Sequence, residues 1–130
     1  MRNTLKAYER LKREQHIDTL FREGKAFSFF PVRFIYRTIP RNAGASPVQA
    51  GFSVPKKKFR KSVHRHRVLR LLREAWRLNK HPLYEAMPAE LQLHVFIIFT
   101  ATELPEFATV QEMVQKGIAR FCNDLKAVDA

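Results

Sequence analysis

Gly51 to Lys80, GFSVPKKKFRKSVHRHRVLRLLREAWRLNK, is the stretch whose residue types and spacing could do chemistry. From Lys56 to Lys80 it holds 11 of the chain's 24 Lys and Arg, against one acid, Glu74. Cations at this density suit phosphate recognition. Read as a helix at about 100° per residue, Val68, Leu71, Leu72, Ala75 and Leu78 form an apolar stripe. His66, Arg70, Arg73 and Arg77 then fall within a narrow arc on the opposite side, with Arg65 and Arg67 flanking it. An ordinary solvated face carries acids one turn away to pair with its cations. Glu74 can reach Arg70 or Arg77, but one carboxylate cannot neutralise the row. Such a face repels itself until phosphates complete it. Lys56, Lys57, Lys58, Arg60 and Lys61 extend the same field as a basic connector, with Ser62 as the expected N-cap.

Catalysis by the chain's own groups is poorly provided for. His64 and His66 stand two apart, on different sides of a helix, and Cys122 is the single cysteine, so no metal site is expected. His94 lies in an apolar run and reads as a core or edge histidine. No Gly-rich phosphate loop or nucleophile motif occurs. The three Asp and nine Glu are scattered rather than clustered as in a two-metal nuclease. Acids distant in sequence can meet in space, so the scatter counts against an autonomous nuclease without ruling one out. No catalytic residue and no protein-bound cofactor are expected.

These residues must be positioned by a folded domain. The chain has 130 residues, a net charge of +12 and 45% hydrophobic residues, which points to one basic domain with a core rather than a disordered tail. Nucleic acid is the first partner to consider, an acidic membrane surface the second. No run of about 18 apolar residues is present to span a bilayer. The N-terminal stretch lacks an apolar signal core, and a single cysteine suits a reducing compartment. A cytoplasmic protein is expected, with residues 1–10 and 126–130 flexible.

A first helix is expected from Leu11 to Arg22, with Ile17, Leu20 and Phe21 on its apolar side and Gly24 as the stop. Phe27 to Arg37 reads as a strand bent near Pro31, with Phe34 and Tyr36 on one face and Arg33, Ile35 and Arg37 on the other. A loop spans Pro40 to Pro47, and Val48 to Val54 is a second strand. The Arg-rich helix stops at His81-Pro82, and residues 82–90 are loop or a short turn. Leu91 to Thr100 reads as a central strand covered on both faces. Thr109 and Glu112 form a capping-box pattern, followed by the apolar stripe Met113, Val114, Gly117, Ile118, Phe121 and Leu125. The order helix, strands, helix, strand, helix predicts an α+β two-layer sandwich with one sheet of about four strands. Among 11 Phe and 3 Tyr, Phe21, Phe34 and Tyr36 read either as core or as the lining of a groove between the first helix and the sheet. In such a groove single-stranded nucleotides can stack.

Gly51-Phe52-Ser53-Val54, then Lys56-Lys57, then Arg65-His66-Arg67-Val68-Leu69-Arg70-Leu71-Leu72-Arg73-Glu74-Ala75 resembles the bacterial ribonuclease P protein. In that family a strand ending in Ser-Val-x-Lys-Lys precedes a helix with an Arg-Asn-Arg signature and a basic continuation. Arg10-Leu11-Lys12, Ile17, Leu20-Phe21 and Gly24 resemble its first helix, and the likeness spans roughly residues 8–125. Four positions depart from the pattern: His66 replaces the central Asn, Leu69 a basic residue, Pro55 a small residue, and Ile17 an aromatic.

The resemblance implies that catalysis belongs to a large RNA with Mg²⁺ and that precursor tRNA is the substrate. The protein would grip that RNA through the Arg helix. It would hold the 5′ leader in a groove lined by Ile17, Phe21, Phe34 and Tyr36. It also implies a left-handed strand–helix–strand crossover, against the usual hand. No obligate protein partner and no membrane are implied. Charge, size and fold class suit a non-enzymatic ribosomal or ribosome-assembly protein equally well; the ordered Ser-Val-x-Lys-Lys and Arg-helix pattern favours ribonuclease P. A DNA-binding reading lacks a helix-turn-helix.

Overall fold

The computed structural model describes residues 9–11 and 14–129. Its elements are α1 (Glu14–Glu23), β1 (Lys25–Phe29), β2 (Val32–Pro40), β3 (Val48–Ser53), α2 (Ser62–Asn79), α3 (His81–Ala86), β4 (Leu91–Phe99) and α4 (Phe107–Asp129). One four-stranded sheet has the order β1-β2-β4-β3. β1 pairs antiparallel with β2 and β2 antiparallel with β4, whereas β3 runs parallel to β4 with Val48 opposite Leu93 and Ser53 opposite Ile98. β4 is therefore central, and α2 and α3 together form the crossover from β3 to β4. Among the described residues no helix is long and apolar enough to cross a membrane.

The main core lies on one face of this sheet. Phe34, Val95, Ile97 and Phe99 pack there against Val68, Leu72, Ala75 and Trp76 of α2 and against Val114, Ile118 and Phe121 of α4. The other face carries a smaller cluster in which α1 sets Leu20 beside Leu11 and Ile35, with Ile17, Phe96 and Ile98 packed around them. β4 accordingly lacks simple polar alternation, because one parity feeds each core. On the α1 face His16 stacks on His94, ring centroids 5.1 Å apart. His94 Nε2 lies 3.0 Å from Gln92 Oε1, and Gln92 Nε2 donates to the Ser46 carbonyl at 2.8 Å. Burial first, then the charges of His16 and Arg37, depress His94 to about 4.

Several boundaries differ from the sequence expectation. The segment Phe27 to Arg37 is two strands of a hairpin, not one bent strand, with Phe30-Pro31 at the turn. Pro31 has no N–H to give a ladder; its carbonyl instead accepts from the Thr100 N–H at 2.8 Å. α2 begins at Ser62, so its N-cap is Lys61, without a side-chain cap. The stop at His81-Pro82 is only a corner, since Pro82 occupies the first turn of α3, where a missing N–H costs nothing. α4 starts at Phe107, so Thr109 and Glu112 lie inside it rather than at its cap. Leu11 is not helical; its N–H donates to the Ala50 carbonyl at 2.9 Å. Of the two ends expected to be flexible, residues 1–8 and 130 lie outside the described residues. Glu9 and Arg10, however, are docked on the domain, and α4 continues through residues 126–129.

Gly117 sits where α4 crosses Phe34: an added Cβ would lie 2.3 Å from Phe34 Cζ. Alanine gains about 1 kcal/mol of helix propensity, but overpacking a rigid, fully buried ring costs about 1–3 kcal/mol. Gly117→Ala is therefore expected to lower the denaturant midpoint, and adding Phe34→Leu to restore part of it. His94 gives a second expectation. Unfolded histidine takes up a proton near pH 6.5, whereas folded His94 stays neutral to about pH 4. The unfolded state thus binds the extra proton between those values. Stability should be level above about pH 6.5 and fall by up to about 1.4 kcal/mol per unit below it. The difference between wild-type and His94→Gln stability curves, measured by urea titration from pH 7 to 4.5, should show that slope.

Candidate nucleic-acid interface

The sequence places an apolar stripe and a cationic arc on one helix, and packing decides which faces outward. Val68, Leu72, Ala75 and Trp76 are the buried residues of α2. Trp76 was absent from the expected stripe; it lies one residue past Ala75 and widens the seam. Three large side chains contribute about 5–9 kcal/mol of burial at about 1.5–3 kcal/mol each. Like charges one turn apart cost only about 0.2–0.5 kcal/mol per pair. Packing therefore wins and holds His66, Arg67, Arg70 and Arg73 out in solvent.

The cations of this stretch do different work. Glu74 pairs with Arg77, three residues on, and accepts from its Nε at 3.3 Å. Among the described residues no ion pair reaches Arg67, Arg70 or Arg73. Arg65 turns back, donating from Nη1 to the Phe59 carbonyl at 2.7 Å and to the Arg60 carbonyl at 3.0 Å. It fastens the connector to the helix, so part of its role is structural. Phe59 is the connector's anchor, buried with its ring 6.0 Å from that of Phe99. With Phe59 turned inward, Lys56, Lys57, Arg60 and Lys61 are exposed and Lys58 half-buried. The lone aromatic within Lys-Lys-Lys-Phe-Arg-Lys was the signal for that anchor.

Two contiguous grooves border the exposed arc. The first, about 660 Å³, is lined by Arg10, His66, Leu69, Arg70, Arg73, Glu74 and Arg77. Five basic side chains thus face one carboxylate that Arg77 already engages. The second, about 340 Å³, shares Arg10 and Arg73 and continues past Leu11, Ile17, Gly51 and Phe52 to Phe96. Gly51 makes this approach possible: a Cβ there would lie 2.5 Å from the Phe96 ring. Beyond it Phe21, 50% exposed, meets Phe96 edge to face at 5.3 Å. A cationic track therefore runs into an apolar, partly aromatic surface between α1 and the sheet.

The four expected groove residues do not share that surface. Ile17 and Phe21 stand on it. Phe34, 0% exposed, and Tyr36 point to the opposite sheet face, where their rings lie 5.9 Å and 4.9 Å from Phe121 of α4. Alternation had placed Phe34 and Tyr36 on one face correctly, but α1 covers the other parity. The residues that take their place are Phe96, Ile98 and Arg33, which share the α1 face with Ile35. Arg33 and Arg37 at that parity were the available signal, because charge avoids the main core. Among the described residues no three His, Cys, Asp or Glu side chains come together as a metal site.

The comparisons with known proteins agree with one another. The family model for Ribonuclease P matches residues 5–122. The ribonuclease P protein component of Porphyromonas gingivalis is 42% identical over 119 residues, covering 90% of this chain and 85% of that protein. The corresponding protein of Chlorobium phaeobacteroides is 31% identical over 134 residues, covering 95% and 89%. Among solved structures, the RNase P protein from Thermotoga maritima aligns with a TM-score of 0.66 at 24% identity, over 86% of this chain and 96% of that one. The Staphylococcus aureus RNase P protein gives a TM-score of 0.65 at 18% identity, over 88% and 94%. These two structural likenesses establish the α+β fold.

The geometry separates structural from solvent-facing arginines. Arg65→Ala should lower the melting temperature by a few degrees, because two carbonyl contacts to a charged donor are lost. Arg67→Ala and Arg70→Ala should leave it within about 1 °C of wild type. Thermal melts followed by circular dichroism check both.

Proposed function

The chain belongs to the ribonuclease P protein family, and from that premise we propose that the exposed arc of α2 binds the family's catalytic RNA while the Phe21–Phe96 surface holds the 5′ leader of precursor tRNA. As a ribonuclease P protein the chain is a subunit of an endoribonuclease and acts in tRNA processing. The observation that carries the proposal is the pair of joined grooves. Arg10 and Arg73 belong to both, so a strand whose phosphates follow the arginines leads its bases onto Ile17, Phe96 and Phe21.

In this reading Arg67, Arg70 and Arg73 neutralise phosphates and release counterions, and His66 donates a hydrogen bond where the family has Asn. Lys56, Lys57, Lys58, Arg60 and Lys61 extend the field at the start of α2. Arg77, engaged by Glu74, and Arg65, tied to the connector, contribute chiefly through charge and position. The apolar surface takes unstacked leader bases without reading their sequence, as base–aromatic stacking does. In this reading the scissile phosphodiester is hydrolysed on the RNA, which would supply the Mg²⁺, and the protein contributes no catalytic group. The protein's share is to lower the RNA's self-repulsion and to position the substrate. The same reading places it in the cytoplasm with its RNA.

The test is precursor-tRNA cleavage at low Mg²⁺ with a bacterial ribonuclease P RNA alone, the protein alone, and both. Cleavage at the mature 5′ end is expected only with both. Cutting by the protein alone would contradict the division of labour, and no stimulation despite RNA binding would favour a ribosome-assembly role. One mutation localises the leader. Phe21→Ala should weaken binding of leader-bearing substrate about tenfold, from about 1–3 kcal/mol per stacked base, and leave mature tRNA unchanged. Phe34→Ala should instead destabilise the fold by about 3–5 kcal/mol, with no such selectivity. Equal effects of Phe21→Ala on both ligands would remove the leader assignment.

A further inference from the structure

Arg10 stands in both grooves, yet it belongs to none of the elements that build them. It lies in the short segment before α1, and its neighbours on each side are fixed to the domain. Glu9 Oε1 meets Lys80 Nζ at 2.8 Å across 71 residues of sequence, with side-chain exposures of 7% and 2%. Lys80 occupies the corner between α2 and α3, and its Nζ lies 5.2 Å from the centre of the Tyr84 ring. Burial, then the negative charge of Glu9, push the Tyr84 phenol up. On the other side, Leu11 is buried against Leu20 and Ile35, and its N–H donates to the Ala50 carbonyl at 2.9 Å. Arg10 itself forms a parallel bridge with Ala50 at the edge of β3.

Glu9 and Leu11 are buried and Arg10 between them is exposed, and its outward side is the gap between α2 and β3. There it joins Arg70, Arg73 and Arg77 around the larger groove. Among the described residues no carboxylate pairs with Arg10. A fourth cation driven into a row of three has no electrostatic reason to be there in the free protein. Its place is dictated by the buried pair beside it, and it makes sense once a polyanion fills the groove.

We propose that Arg10 is a phosphate contact of the RNA interface and that the buried Glu9–Lys80 ion pair is the positioning device that sets it there. The inference rests on the proposed binding of RNA to α2 and extends it to a segment outside that helix. Glu9 and Lys80 touch no RNA in this arrangement; they act through Arg10. The pair ties the segment before α1 to the end of the Arg-rich helix.

The experiment is equilibrium binding of a bacterial ribonuclease P RNA transcript to the full chain at several salt concentrations, with circular dichroism melts alongside. Arg10→Ala is expected to keep the wild-type melting temperature and to make the slope of log affinity against log salt shallower by about one. Glu9→Gln should give the same loss of slope, and the combination no further loss. Should Glu9→Gln fail to fold, the exchange Glu9→Lys with Lys80→Glu should restore both folding and slope. Unchanged affinity and slope in Arg10→Ala would overturn the contact. Full additivity of Arg10→Ala with Glu9→Gln, or a folded charge exchange that lacks the slope, would overturn the positioning role. Arg70→Ala in the same series separates the two levels of the argument. If it weakens binding and Arg10→Ala does not, this inference alone fails; if neither does, the reading of α2 fails with it.

Discussion

The parallel pairing of β3 with β4 is the constraint from which the rest follows. Two adjacent parallel strands cannot be joined by a tight turn, so the chain must travel back along the sheet before β4 can start. Here α2 and α3 make that journey. A helix bound to this path has one side against the sheet and one against solvent along its whole length. Four residues at helical spacing satisfy the inner side, and the arginines are left with the outer one. The lysine-rich connector opens the crossover, and Lys80 ends its first helix. The basic stretch is thus laid across the domain by topology, with both of its ends anchored: Phe59 at the start and the Glu9 pair at the close.

Electrostatics explains why that surface needs a partner. Most exposed ion pairs contribute little, about 0–1 kcal/mol, so the scarcity of acids near α2 costs the fold little. What the scarcity does is leave a concentrated positive field along two joined grooves. In the proposed complex RNA supplies phosphates at the required density, and the counterions they release favour association. The apolar end of the same track, with Phe21 edge-on to Phe96, offers unpaired bases a face to stack on. The cationic and apolar grooves adjoin because Arg10 and Arg73 stand at the corner where α2, β3 and the first segment meet.

Much of this was legible in the residues. The stripe and arc of α2 and the parities of β2 follow from periodicity, which sterics enforce directly, and the centrality of β4 from an apolar run that lacks alternation. Which parity faces α1 was signalled only by Arg33 and Arg37, because the choice depends on how two helical layers share one sheet. Phe34 and Tyr36 are bulky and aromatic, as a groove or a core requires; only the contact with Phe121 of α4 decides for the core. The capping-box pattern at Thr109 misled because Phe107 docks on the main core and carries the helix start with it. Counting cations also cannot sort them. Arg41 donates to the Leu91 and Pro88 carbonyls, Arg65 to those of Phe59 and Arg60, and Lys80 is buried against Glu9. Each of these partners is distant in sequence or set by a loop conformation, so no local pattern announces it.

The central claim is that the outward arginines of α2 are completed by RNA phosphates. Its most direct test is the salt dependence of ribonuclease P RNA affinity for wild type and for a variant carrying Arg67→Ala, Arg70→Ala and Arg73→Ala together. The account expects a steep wild-type slope and a variant slope shallower by about three, about one for each lost phosphate contact, with the fold intact. A properly folded variant that binds with the wild-type slope would contradict it, and would move the RNA to another face of the protein.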